Sequence, residues 1–122
     1  MVRVSVHYAA TPGKRFDMEY YLGKHVPLTK QRYGDAFLGF EVYEGSSGGD
    51  GGLPPIAVTG HFYFESAERL VEGAQKHNAE LLADIPNFTD IVPVFVIESR
   101  RAGSVGFAPG ASSGSKPAPE TP

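Results

Sequence analysis

Two stretches of helical periodicity are each bracketed by strand patterns, in the order strand, helix, strand, strand, helix, strand, and few folds admit that order. Residues 2–8 alternate apolar and polar side chains and are rich in valine, the mark of a half-buried strand. Thr11-Pro12-Gly13 is turn chemistry. Asp17 is a good N-cap, with Phe16 before it and Tyr21 at the fourth helical position to form a hydrophobic staple. The helix should end near Tyr33-Gly34, where glycine can take a left-handed cap. Residues 37–43 form a second strand, with Leu38, Phe40 and Val42 on one face and Glu41 and Tyr43 on the other. Residues 45–55 carry five glycines and two prolines and read as a loop with nothing to pack. Residues 56–65 are a third strand. Ser66 caps a second helix whose Leu70, Val71, Ala74, His77 and Leu81 share one stripe. Pro86 closes that region, and residues 90–98 form the last strand.

This is an α+β chain with the ferredoxin-like β-α-β-β-α-β order: a four-stranded antiparallel sheet with two helices on one face. Its length of 122 residues allows one domain, over residues 1–101. Residues 102–122 are mostly Gly, Ala, Ser and Pro with almost nothing to bury, and are expected to be a disordered tail. The last strand is apolar on both faces, with Ile91, Phe95 and Ile97 opposing Val92, Val94 and Val96, yet this topology makes it an edge. Such an edge invites aggregation unless covered. The expected cover is a second copy packed on the open sheet face, there meeting Ile91, Phe95, Ile97, Tyr43 and Tyr63, to give a homodimeric α/β barrel.

The most informative local feature is His25, two residues before Pro27 in an aromatic-rich helix. Pro27 lacks an N–H and crowds the carbonyl of Gly23. Val26, preceding it, is pushed from the α region. A helix break is therefore expected at His25, which places an imidazole where a site is more natural than plain packing. Its competing role is that of a helix-ending side chain satisfied by the helix dipole.

On the first and third strands, alternation sends Arg3, Ser5 and His7 to the open side, with Thr59, His61 and Tyr63 beside them and Glu41 and Tyr43 from the second strand. A polar sheet face covered by a partner becomes a cavity of mixed aromatic and hydrogen-bonding character, suited to a small molecule. The competing role of these groups is simply to border solvent. His77 reads as a packing residue. No histidine pair has i, i+4 spacing, so no metal is expected. No phosphate-binding glycine motif and no nucleophile elbow occur, and the absence of cysteine removes thiolate chemistry. The formal net charge is −3, with basic residues spread rather than clustered, which argues against nucleic acid. No apolar run is long enough to span a bilayer and no signal peptide is visible, so a cytoplasmic location is expected.

Phe16-Asp17, Tyr20-Tyr21 and His25-Val26-Pro27-Leu28, followed by Asn87-Phe88-Thr89-Asp90 and an apolar strand, resemble the signature of the EthD family, named for ethyl tert-butyl ether degradation. The resemblance covers residues 2–99. It implies a dimeric α+β barrel, a fold shared with cofactor-free oxygenases, lactone isomerases and aromatic polyketide cyclases, and a role in oxidative breakdown of small organic compounds. It maps the family's histidine onto His25 and its first-helix tyrosines onto Tyr20 and Tyr21. The combined expectation is a cofactor-free oxidoreductase (monooxygenase-like) or isomerase/cyclase that binds a small apolar or aromatic ligand. His25 is its acid/base, and His7, His61, Tyr63, Tyr43 and Tyr21 contact the ligand. A non-catalytic binding or accessory protein of a degradation pathway fits the same residues.

Overall fold

The structure, a computed structural model, describes residues 1–104. The chain runs β1 (Val2–Ala9), α1 (Met18–Tyr20), a π-helical turn (Tyr21–His25), α2 (Val26–Tyr33), β2 (Phe37–Glu44), β3 (Ile56–Phe64), α3 (Ala67–Asp84) and β4 (Val94–Ser99). The sheet is antiparallel with strand order β2-β3-β1-β4. That is the ferredoxin-like arrangement, with the helical layer on one face.

The caps form where the sequence places them. Asp17 accepts from the Tyr20 N–H, Ser66 accepts from the Arg69 N–H, and the Phe16 and Tyr21 rings meet at 5.1 Å. Gly34 takes φ +63° at the end of α2, a value few other residues would accept.

The helix does not break at His25. His25 and Val26 keep right-handed helical angles, and the Val26 N–H reaches back to the Tyr21 carbonyl. One extra residue in this turn displaces the ladder ahead of Pro27, which then sits in the first turn of α2, where a missing N–H costs little. The expected strain is absorbed by a widened turn, and Val26 is not driven to extended backbone.

Four further expectations are corrected. A register shift between Phe37 and Gly39 leaves Leu38 exposed and returns Phe37 to the core against Phe64. The last strand starts at Val94, not Asp90: Pro93 cannot donate to a ladder, and Ile91 instead turns inward as a core residue. Its register, Val6 opposite Phe95 and Val4 opposite Ile97, puts Phe95 and Ile97 on the helix side. Val94 and Val96 pair with His7 and Ser5 on the open face. The apolar part of that face is therefore the valines, not Ile91, Phe95 and Ile97. Val71, expected on the buried stripe of α3, is exposed.

The core lies between sheet and helices, with Phe88 at its centre. That ring is 0% exposed and meets Tyr8, Phe16, Tyr20, Tyr21 and His25. A Phe16–Thr89 bridge and the Asp17 N–H to Phe88 carbonyl bond fasten the first helix to the segment after α3. Arg101–Ser104 carry no regular structure, and the rest of the expected tail lies outside the described residues. No helix among the described residues is long and apolar enough to cross a membrane.

Candidate functional site

A cavity of about 380 Å³ opens between the helices and the inner face of the sheet. That volume is within the range of small-molecule sites, roughly 300–1,000 Å³. Its walls are mostly aliphatic and aromatic, including Val4, Val6, Phe62, Phe64, Leu70 and Leu81. Val71, Leu82, Phe95 and Ile97 line it while staying exposed, so the opening lies between α3 and the edge strand β4. Its polar lining is Tyr8, Tyr21, His25, Thr29, Tyr33 and Asn78, and among the described residues no Lys, Arg, Asp or Glu lines it.

His25 is the imidazole among the described lining residues. Its ring is stacked on Tyr21 at 5.8 Å and 16°, a pairing set by the π-helical turn that carries both. Phe88 packs on the ring at 4.7 Å. Nδ1 lies 2.9 Å from Asp84 Oδ2. Asp84 sits at the last position of α3 and also receives Tyr20 Oη at 2.7 Å and Asn87 Nδ2 at 2.9 Å on Oδ1. Burial works to raise the Asp84 carboxyl, but the hydrogen bonds from Tyr20, Asn87 and His25 outweigh it and hold the group below its ordinary value. An ionised carboxylate can only accept, so the proton of a neutral His25 sits on Nδ1. Nε2 is then the free lone pair of a ring lining an apolar cavity.

Burial pushes the Tyr21 and Tyr8 phenols far above their ordinary range, so both stay protonated at neutral pH. The Tyr21 hydroxyl is fully buried beside the Tyr8 phenol and makes no hydrogen bond of ordinary geometry among the described residues.

The sheet divides the expected site. His25 and Tyr21 share the cavity, whereas His7, His61, Tyr43 and Tyr63 stand on the opposite face, because residues 7, 59, 61, 63 and 43 are in register there. The six expected site residues therefore do not share one face of the sheet, and the volume that a single chain encloses is on the helix side. The open face has its own network. Ser5 Oγ donates to Glu98 and stands 2.9 Å from His61 Nδ1, while Arg3 Nε binds Glu98 at 2.7 Å. Tyr63 and Tyr43 both donate to Glu41, at 2.6 and 3.1 Å. His7 Nδ1 stands 3.5 Å from Thr59 Oγ1. Burial, then the nearby Arg3 charge, lower the His61 pKa, so the ring is neutral near pH 7. Ser5 is 0% exposed and hydrogen-bonded on both sides, an arrangement for holding strands rather than for attacking a substrate. No group of three or more His, Asp or Glu among the described residues is arranged to hold a metal.

Asp84 was absent from the sequence expectations, yet it left a trace there. A carboxylate in the last turn of a helix opposes the helix dipole, and α3 has no basic residue in that turn to offset it. A charge placed against the dipole calls for a partner, and His25 is that partner.

No protein-family model matches the sequence, and no curated protein does. Among solved structures, an EthD-like protein from Ralstonia eutropha JMP134 is 39% identical, with a TM-score of 0.75 over 80% of this chain and 88% of that one. The chain belongs to the EthD-like family. An ethyl tert-butyl ether degradation family protein from Bacillus halodurans C-125 shares the fold at 14% identity and a TM-score of 0.59, covering 83% of this chain and 99% of that one. HapK from Hahella chejuensis does so at 11% and 0.54, covering 87% and 99%. Both segments that carry the family resemblance, around His25 and around Phe88, meet at the His25 ring, which lines this EthD-like cavity.

Proposed function

We propose that this EthD-like protein binds a small, uncharged, largely apolar molecule in the helix-side cavity and moves a proton on it with His25, in the breakdown of small organic compounds. The observation that carries this is a buried imidazole at an apolar cavity, its Nδ1 bound to an ionised Asp84. Histidine transfers protons near neutral pH. Asp84 fixes the ring and its tautomer through Nδ1, which leaves Nε2 to exchange the proton. With no cation lining the cavity, a carboxylate or phosphate ligand would be buried unpaired, which is costly.

The reading includes a homodimer. Val94, Val96 and Tyr43 are exposed on the open face, and β4 is an unpaired edge. A second copy packed on this face covers all of them with one self-complementary surface. Burying a few hundred Å² of apolar surface at about 25 cal/mol per Å² supplies several kcal/mol before association costs.

Native mass spectrometry against a panel of small apolar and oxygenated compounds, then turnover assays on the compounds bound, tests the function. Chemical change in the bound compound is expected, falling roughly 10²–10⁴-fold in His25→Gln. Tight binding without change would make the protein a carrier. Turnover untouched in His25→Gln would remove His25 from the chemistry.

A further inference from the structure

Asn78 is a polar residue for which the packing of α3 gives no reason. Helical spacing puts it on one stripe with Val71, Ala74, Leu81 and Leu82, and all five line the cavity. Its neighbours on that stripe are apolar, and asparagine is a poorer helix former than leucine or alanine. Arg69, Glu80 and Asp84 of the same helix are tied to Asp35, Arg32 and His25. The Asn78 side chain makes no hydrogen bond among the described residues, and the residue is exposed, so its amide can be reached at the cavity opening. Other polar groups of the lining are engaged or shut away. Thr29 donates to the His25 carbonyl, and the Tyr8 and Tyr21 phenols are buried beside each other.

We infer that Asn78 selects the ligand, and that the ligand is an uncharged hydroxyl compound, a phenol or an alcohol. Its hydroxyl bonds to the Asn78 amide while its apolar body fills the cavity. This rests on the small-molecule reading above and adds the hydroxyl and the residue that recognises it. An amide offers a donor and an acceptor side by side, and a hydroxyl both donates and accepts. A carbonyl oxygen would use only the donor. A carboxylate or an ammonium would bring a charge that no lining ion among the described residues offsets. Because Asn78 is exposed at the opening, the hydroxyl stays close to water and gives up little hydration. Asp84, which holds His25, lies about 9 Å further along α3, at about 1.5 Å per residue. The hydroxyl is thus a handle that sets the ligand's position, held apart from the group on which His25 moves a proton.

The test titrates the full chain with 2-naphthol, naphthalene and 2-naphthoate. Wild type should bind 2-naphthol more tightly than naphthalene. The ratio of those two affinities should fall about tenfold in Asn78→Leu, the worth of one good neutral hydrogen bond. Naphthalene should bind that variant at least as tightly as wild type, because leucine adds apolar wall. His25→Gln should keep the wild-type ratio, which separates this inference from the proton-transfer reading. An unchanged ratio in Asn78→Leu would overturn the inference and leave the apolar cavity standing. So would a ratio lost in His25→Gln, which would assign the hydroxyl to Nε2. Tighter binding of 2-naphthoate than of 2-naphthol would overturn it too, since the site would then select charge. Asn78→Leu should melt no lower than wild type, because leucine is the better helix former. A lower melting temperature would show that the amide is bonded within the fold, and would overturn the inference. Binding of none of the three compounds would overturn the inference and the small-molecule reading together.

Discussion

Each face of the sheet presents a histidine whose Nδ1 is engaged, and the two are engaged differently. On the helix side, His25 is bound to a carboxylate that lies behind an apolar cavity and whose other partners are neutral. On the open side, His61 is bound to Ser5, whose hydroxyl passes on to Glu98, and Arg3 already pairs with that charge. The first arrangement fixes the ring by a direct bond to a carboxylate. The second spends its charge on an ion pair and leaves His61 neutral. One face is set up for proton chemistry, and the other for holding strands and for being covered.

The helix side should be the more fragile face. Phe88→Ala removes the ring on which His25, Tyr21, Tyr8 and Phe16 all rest, and should cost about 3–5 kcal/mol. Denaturant unfolding measures it. A loss below about 1 kcal/mol would show that the cluster relaxes into the gap, and that the aromatic core is softer than its contacts imply.

Charge placed on neighbouring positions of β4 should separate the two faces cleanly. Val96→Asp puts a carboxylate on the open face beside Ser5, and should dissociate the proposed dimer at micromolar concentration while the cavity still binds its ligand. Phe95→Asp, one residue away, faces the cavity opening and should weaken ligand binding while the dimer persists. Sedimentation and ligand titration together read both. A wild-type protein that sediments as a monomer would remove the dimer, and a Phe95→Asp monomer would show that the interface lies on the helix side.

Acid should strain both faces, because each holds a carboxylate whose pKa is lowered in the fold. Burial opposes the shift at Asp84 and three hydrogen bonds produce it; at Glu98 the bonds from Arg3 and Ser5 do so. A lowered folded pKa contributes stability above the ordinary carboxylate range, lost as pH falls through the folded value. Stability should therefore hold near neutrality and decline below about pH 4. Asp84→Asn should start lower at neutral pH and show a shallower acid limb, since one of the linked groups is gone. An acid limb identical to wild type would mean that Asp84 is not held as an ion by its partners.

Much of this arrangement is legible in the sequence, wherever the governing signal is local. The Asp17 and Ser66 caps, the Gly34 stop and the period-two faces of β1 and β3 each depend on a few adjacent residues. What is not legible depends on pairing between distant segments. The bulge at Leu38 depends on how β2 meets β3, and Pro93 delays β4 until Val94, which decides the face taken by Phe95 and Ile97. His25 was readable from Pro27, although the chain answers that proline by widening a turn rather than breaking. Which tyrosine stacks on His25, and that Asp84 holds it, follow from that turn and from the docking of α3, and neither is periodic in sequence.

The smallest effect is expected from deleting residues 102–122, and the deletion bears on what covers the open face. β4 ends at Ser99, and Arg100 to Ser104 make one local contact, Arg100 to the Gly103 carbonyl. The deleted stretch has no apolar periodicity to bury, so folding, sedimentation and ligand binding should all stay at wild-type values. The two candidate covers behave differently here. A second copy of the sheet brings its own Val94 and Val96, and owes nothing to the tail. If the deletion dissociates the dimer or lowers the melting temperature by several degrees, the valines are covered by the chain's own last residues. Val96→Asp would then be breaking a contact within one chain instead of one between two.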